Sequence, residues 1–165
     1  MQLTSKAAHK MIGMLKDKFQ QIEMDEKESC CYTYSGGEKP LIYSYSFTDT
    51  QEQLHQIDDK VAKLRHAINL FNVSTEVPGY GFMIDEALVR LAMMNDEKNR
   101  IDRMRGVKAR VRSTSPYTGQ IEYTVRNYSE QEVSSAYDNI AKSISDLQQA
   151  IDLLNITALF EVEGI

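Results

Sequence analysis

The strongest candidate for a metal site is a set of three side chains, Glu52, His55 and Asp59. Spacings of three and four residues place them on one face of a helix, and carboxylate and imidazole groups are common metal ligands. Glu-x-x-His is also half of the di-iron motif of helical bundles. The corresponding positions 135–138 read Ser-Ala-Tyr-Asp, so the second half of that motif is missing. We therefore predict a solvated helix face, without a metal or another cofactor.

The remaining reactive side chains do not form a catalytic set. His9 and His66 lie in other predicted helices, with no evident partner for a triad or a zinc site. Cys30 and Cys31 are adjacent, form no CxxC pair and fall in a predicted strand. The glycines at 35–37 and 78–81 are typical of turns and do not match a phosphate-binding loop. These features predict a protein that is not an enzyme.

A basic segment stands out in a chain whose formal net charge is −5. Residues 98–112 hold seven cations and a single anion, and residues 107–112 alternate apolar with cationic side chains. That alternation is typical of a strand with one charged face. Cations beside tyrosines can bind phosphates and stack on bases. One interpretation is therefore an RNA or single-stranded-DNA binding module that uses Arg105, Lys108, Arg110, Arg112 and Arg126.

A second interpretation of the same segment is a contact between copies of the chain. Tyr123 shares the parity of its apolar neighbours, so we expect it to pack inward, and Glu122 has the polar parity, from which it can pair with an arginine across the hairpin. An acidic cluster occupies the matching place in the first half of the chain, and it consists of Glu23, Asp25, Glu26 and Glu28. Opposed charges at equivalent places favour a contact between halves or subunits over nucleic-acid binding.

Four amphipathic helices are predicted to position these residues. Apolar side chains recur every three or four positions over roughly 5–28, 50–72, 84–105 and 130–155, typical of helices that pack in a bundle. Capping patterns precede two helices, in the pairs Thr48 with Gln51 and Ser129 with Glu132. β-Hairpins are predicted at 30–47 and 107–128, and residues 73–82 form a connector. We expect the methionines, such as Met93 and Met94, to fill the core.

The two halves of the chain resemble each other. Residues 64–75, LRHAINLFNVST, align without gaps on residues 147–158, LQQAIDLLNITA. A duplicated helix–hairpin–helix unit, with pseudo-repeats 1–82 and 83–165, is the simplest explanation. Because neither helix pair can bury its apolar stripe alone, we predict a single, mainly α domain. Its fold would be an antiparallel four-helix bundle with two β-hairpin insertions.

Three short motifs lie within or at the ends of these helices. They are the run Glu86, Ala87, Leu88 and Arg90; the helix end with Ile68, Asn69 and Asn72; and the closing turn with Asn155 and Thr157. Together they resemble the septicolysin-like family of small bacterial proteins. The resemblance implies a helical fold and homo-oligomeric assembly, and the family offers no catalytic residues to transfer. The first helix, with KAAHKMIGMLKDKF, departs from the family's helix pattern.

Composition narrows the class of protein further. A hydrophobic fraction of 42% and a charged fraction of 26% are ordinary for a globular domain, and no apolar run approaches the ~20 residues of a membrane span. The N-terminal MQLTSKAAHKMIGMLK lacks the apolar core of a signal peptide, so we expect a cytoplasmic protein with no membrane partner. We expect it to be a non-enzymatic structural or interaction protein that forms homo-oligomers through its hairpins and opposed charged clusters.

Overall fold

Four long helices make up most of the chain. A computed structural model describes all residues, Met1–Ile165. The elements in chain order are β1 (Gln2–Thr4), α1 (Ser5–Ser29), α2 (Phe47–Ser74), α3 (Ile84–Arg105), β2 (Arg110–Thr114), β3 (Ile121–Val125), α4 (Glu130–Thr157) and β4 (Leu159–Glu161). The strands form two small antiparallel sheets, β1 with β4 and β2 with β3. The predicted mainly helical class is confirmed.

The helix ends follow from local capping. The Ser129 hydroxyl accepts a 3.4 Å hydrogen bond from the backbone N–H of Glu132 at the start of α4, as predicted. The predicted cap of α2 is wrong, because the helix begins at Phe47 and Ser46 Oγ accepts from the Asp49 N–H. Ser46 has the extended backbone that an N-cap residue needs, so the helix gains three residues over the predicted start.

The backbone divides into two compact units. The first unit comprises residues 1–75 and 153–165, and the second comprises residues 76–152. In the first unit, α1 and α2 pack antiparallel. Ala8 and Ile12 near the start of α1 share a buried core with Leu64 and Ile68 near the end of α2. Apolar burial at three- and four-residue spacing is what holds this helix pair together.

A short sheet joins the two segments of the first unit. β1 pairs antiparallel with β4, in a register that places Gln2 opposite Glu161 and Thr4 opposite Leu159. Val162, which follows β4, is buried in the same core as Ala8 and Leu64. Phe160 stacks on Phe71 of α2 with ring centroids 4.9 Å apart. This sheet could not be predicted from the sequence, since two three-residue strands give no periodicity signal.

The second unit contains α3, the β2–β3 hairpin and most of α4. Its connector, residues 76–83, folds into a tight loop in which the Val77 N–H donates to Phe82 O at 2.9 Å. Val77 is fully buried, so its side chain holds the start of this loop in place. The Tyr128 hydroxyl donates to Met104 O at 2.7 Å, which ties the segment before α4 to the end of α3. The hairpin predicted at 107–128 is confirmed.

The hairpin predicted at 30–47 is wrong. Residues 30–46 contain no strand, and their only internal backbone hydrogen bond is the turn from Glu38 N–H to Ser35 O. Residues 31–44 are exposed throughout, so the alternating tyrosines have no surface on which to pack. Pro40 also lacks an N–H for a ladder, and two adjacent glycines make the turn costly to order. Cys30 caps α1 rather than lying in a strand.

None of the four helices combines the length and the apolar character needed to cross a lipid bilayer.

Candidate interaction site

The hairpin formed by β2 and β3, which we call the basic ribbon, presents a mixed face of cations and apolar groups. Its register places Arg110 opposite Val125, Arg112 opposite Tyr123 and Thr114 opposite Ile121. Directly opposed residues of an antiparallel pair project to the same face. The Arg110 guanidinium lies 3.9 Å from the centroid of the Tyr123 ring, a favourable cation–π distance.

This register corrects two predictions about the ribbon. Tyr123 does not pack inward away from the cations, because it lies on their face and is about half exposed. Glu122 does not pair with an arginine, because it lies opposite Ser113 on the other face. Parity along one strand cannot give the pairing across the hairpin, since that depends on where the turn begins and ends. The arginine face therefore has no carboxylate of its own.

Both faces of the ribbon are open. Every residue of β2 and β3 is exposed, including Val111, Ile121 and Val125. A two-stranded ribbon with no packed face is marginally stable by itself in water, and its edges carry unpaired backbone groups. The ribbon therefore has the properties of a contact surface.

The turn of the ribbon is ordered by its own backbone. The buried Ser115 donates its N–H to Gln120 O at 2.8 Å, and its carbonyl accepts from Gly119 N–H at 2.9 Å. Gly119 has a φ of 70°, which a residue with a side chain adopts at a cost. The ordered turn leaves Tyr117 almost completely exposed at the tip. An aromatic ring in that position is available for stacking on a partner.

Two of the predicted contact residues have partners within the second unit. Arg126 donates to Glu130 at 3.0 Å and to Val107 O at 3.3 Å, and its side chain is only 13% exposed. Arg105 pairs with Asp102 at 3.3 Å and lies 4.1 Å from the centroid of the Tyr137 ring. Arg126 in particular holds the base of the ribbon and is not free to bind a partner.

The other three predicted cations remain free. Lys108, Arg110 and Arg112 are exposed and take no part in the four ion pairs of the structure. Arg110 and Arg112 lie on the same face of β2, and Lys108 precedes the strand. The candidate site therefore narrows from five cations to three.

The acidic cluster lies on the last two turns of α1. Glu23, Asp25 and Glu28 are exposed and have no cationic partner, although Asp25 accepts a hydrogen bond from Gln21 at 2.8 Å. Glu26 is half-buried and has a structural role. It accepts from the Tyr45 hydroxyl at 2.7 Å and from Gln51 Nε2 at 3.2 Å. The hydrogen bond to Glu26 raises the pKa of Tyr45 to about 12.

The side chains considered for a metal do not form a site. Glu52, His55 and Asp59 are exposed on α2, and no group of three or more ligating side chains in residues 1–165 is arranged to hold a metal ion. The ring nitrogen Nδ1 of His9 forms a 2.8 Å hydrogen bond with the backbone carbonyl of Ser5 in its own helix.

The two cysteines have no activating environment. Cys30 Sγ lies 3.9 Å from Cys31 Sγ, and the hydrogen bond between them raises the pKa of the Cys30 thiol. A raised pKa makes the nucleophilic thiolate scarcer at neutral pH, and both side chains are exposed.

A large cleft in the second unit was not predicted. It has a volume of about 800 Å³ and lies between α3, α4 and the connector, with apolar walls from Tyr80, Phe82, Met93, Met94 and Leu147. Met93 is 66% exposed, so the prediction that it fills the core is wrong. The available signal was its position beside Met94, because two adjacent residues of a helix do not face the same way. Methionine-lined surfaces adapt readily to apolar ligands.

Comparison with solved structures finds a match along nearly the whole chain. The crystal structure of a functionally unknown conserved protein from Corynebacterium diphtheriae is similar over 98% of this chain and 100% of that chain, with a TM-score of 0.63 and 14% sequence identity. At this identity the match shows a common fold alone. Comparisons of the sequence with protein-family models and with curated proteins find no match.

Proposed function

We propose that this chain is a non-enzymatic structural or interaction protein of the cytoplasm that assembles with copies of itself. The contact would join the basic ribbon of one copy to the acidic end of α1 in another. The observation that carries this proposal is the presence of free charges of opposite sign on two exposed surfaces of the same chain. Complementary charges steer association and fix which surfaces meet.

The ribbon supplies the attractive surface. Arg110 and Arg112 have no carboxylate partner, and the adjoining Tyr123 and Val125 are exposed apolar groups on the same face. Apolar burial provides most of the free energy of protein association, and aromatic and arginine side chains are enriched at the centres of interfaces. Burial of this face against a partner would also stabilise the ribbon, which is only marginally stable by itself.

The acidic end of α1 supplies the complementary charge. Glu23, Asp25 and Glu28 are exposed, unpaired and close together in sequence on one helix. Glu26 is left out of the contact because it is half-buried and its Oε1 already accepts hydrogen bonds from Tyr45 and Gln51. Three free acids therefore match the three free cations Lys108, Arg110 and Arg112 in number.

Light scattering after size-exclusion chromatography, across a salt series, tests the proposal. From about 0.01 M to about 1 M salt the Debye length falls from about 30 Å to about 3 Å, so assembly should weaken progressively. The double variant R110E/R112E should reduce the mass at low salt. The matched control is K10E/K18E, which changes the net charge equally at two exposed lysines of α1.

Two outcomes would count against the proposal. A strict monomer at low salt and high protein concentration would remove self-assembly altogether. A mass that R110E/R112E and K10E/K18E reduce equally would show that net charge, rather than the ribbon, controls assembly.

We also propose that the chain is a duplicated, septicolysin-like protein whose helices form an antiparallel four-helix bundle. Most aligned positions of residues 64–75 and 147–158 have matching burial, which supports the duplication. Leu64 and Leu147 are both buried, and so are Ile68 and Ile151. Two positions further along the same alignment, Leu70 and Leu153 are both exposed. A structure-based alignment of each half on the other would test this origin.

A second candidate function is binding of RNA or single-stranded DNA by the basic ribbon. The observation that favours it is the shared face of Arg110, Arg112 and Tyr123, with Tyr117 exposed at the tip. Aromatic rings beside cations can stack on bases while the cations contact phosphates. Arg126 cannot contribute, because its guanidinium is occupied.

Fluorescence anisotropy with a labelled single-stranded oligonucleotide separates the two candidates. The binding module predicts saturable binding at about 50 mM salt that weakens steeply with added salt. R110E/R112E should abolish it, whereas K10E/K18E should not. If no binding is seen at the lowest salt, this candidate is eliminated.

A further inference from the structure

We infer that the cleft of the second unit binds the segment Glu38–Tyr43 of a second copy of the chain. The inference rests on the proposed self-assembly and adds a contact separate from the basic ribbon. Both surfaces are unpartnered in the structure. Both are apolar, and each carries unpaired charges that the other can match in sign.

The cleft has the size and character of a peptide-binding groove. Its volume of about 800 Å³ lies within the range of ligand sites, and apolar groups dominate its walls. The Arg90 guanidinium is 4.8 Å from the centroid of the Phe82 ring and 2.6 Å from Glu86. That pair of contacts fixes the aromatic wall from the connector against α3. Met93 and Met94 on the same helix can adjust to the shape of an occupant.

The segment Glu38–Tyr43 has the exposed apolar side chains and the irregular backbone expected of a peptide that binds in such a cleft. Leu41 and Ile42 are 71% and 68% exposed, and Tyr43 is also exposed. They follow Pro40 in a stretch without helix or strand, so the backbone is free to extend into a groove. Three consecutive exposed apolar side chains in an irregular segment are unusual on a globular surface, where apolar patches commonly mark interaction sites.

The charges at the two surfaces are complementary in sign. Glu38 and Lys39 precede the apolar residues, and neither takes part in an ion pair. Among the charged residues that line the cleft, Arg90 pairs with Glu86 and Arg100 with Glu97, whereas Asp96, Asp146 and Arg103 are unpaired. Lys39 can therefore form an ion pair with Asp96 or Asp146, and Glu38 can form one with Arg103.

A reciprocal form of this contact would give a closed assembly. If each of two copies places its segment in the cleft of the other, the same contact is made twice around a two-fold axis. Such a reciprocal exchange ends with a dimer. A one-way insertion would leave a free cleft and a free segment at each end, and it would continue into a filament.

A peptide-binding experiment tests the cleft directly. The probe is a fluorescent synthetic peptide of residues 36–45, titrated with the full chain carrying Leu41→Asp, which disables its own segment and leaves the cleft intact. We expect saturable binding. Adding Met93→Asp in the cleft should weaken binding by about tenfold or more, as loss of an interface anchor does. Met14→Asp is the matched control, because Met14 is equally exposed on α1 of the first unit.

The peptide assay is independent of self-assembly. Absence of binding at about 1 mM peptide, or equal binding by the Met93→Asp and Met14→Asp proteins, would overturn the inference. A monomeric wild-type protein whose cleft still binds the peptide would contradict the proposed function and, with it, the second copy as the occupant of the cleft. An oligomer unaffected by Leu41→Asp, with no peptide binding, would leave the ribbon contact as the only assembly surface.

Discussion

Tyr45 holds the segment before α2 against the end of α1. Its hydroxyl donates to Glu26 at 2.7 Å, and Gln51 of α2 donates to the same carboxylate. The ionised carboxylate favours the protonated phenol, and this raises the pKa of Tyr45 to about 12 from its ordinary value of 10.0. One carboxylate thus connects three parts of the first unit.

The raised pKa gives a pH-dependent stability with a defined sign. Because the pKa is higher in the folded state, the stabilisation is fully present below pH 10 and is lost as the pH rises through 12. Wild type should therefore be more stable than Tyr45→Phe at pH 8, and the difference should shrink between pH 10 and 12. Urea denaturation at several pH values measures it. Tyr43→Phe is the control, and a difference that is constant with pH would contradict this account.

Free and occupied charges cannot be told apart in the sequence. Arg110 and Arg126 both looked available, yet Arg126 is bound to Glu130 and to Val107 O. Glu23 and Glu26 differ in the same way, since Tyr45 reaches only Glu26. These contacts join residues up to 19 positions apart, and they depend on how loops return to a helix. Side-chain partners of this kind carry no periodicity that a sequence can display.

α2 offers a matched pair of leucines for testing how its burial stabilises the first unit. Leu64 is 0% exposed in the core, and Leu70, less than two turns further on, is 54% exposed. Leu64→Ala should lower the free energy of unfolding by about 2–5 kcal/mol, because it leaves a cavity. Leu70→Ala should change it by less than about 0.5 kcal/mol. Urea denaturation gives both values, and equal effects would show that α2 packs on a different face.

The helices were predictable and the strands were only partly so. Long apolar periodicity located all four helices, and α3 was predicted with its observed bounds. The two segments with alternating residues looked alike, but only 107–128 forms a ladder. There Gly119 permits the tight turn and Arg126 fixes the base, whereas Pro40 and two glycines interrupt the other segment. Turn chemistry and anchoring decide whether an exposed ribbon forms.

The candidate site was predicted only in outline. The basic segment was located correctly, but its register and its free residues were not. The cleft of the second unit went unpredicted because its α4 wall is distant in the chain from the connector and α3, which form its other walls. Concave sites of this kind follow from tertiary packing and not from local pattern.

At the scale of the whole molecule, the first unit is built from both ends of the chain. Residues 1–75 depend on 153–165 for one strand and for Val162, which is 2% exposed in the core. Val162→Asp should therefore lower stability by on the order of 4 kcal/mol, since it buries an unpaired charge. Leu159→Asp, at an exposed position of β4, is the control.

Hydrogen exchange followed by mass spectrometry locates the effect of Val162→Asp. Amides in α1 and α2 should lose protection, because the buried core that contains Val162 is formed by these two helices. Unchanged protection in residues 5–29 would show that the terminal strand is dispensable for the first unit.

The strand pairing of β1 with β4 also sets an order of events on the ribosome. Domains commonly fold from the N-terminus as the chain emerges. Here the second unit, residues 76–152, is complete while the first still lacks β4 and Val162. At roughly 5–20 residues per second, the apolar face around Ala8 and Leu64 waits on the order of 10 s for its last partner. The core around Ala8 and Leu64 is thus completed only after the second unit, and chaperones have that interval in which to bind it.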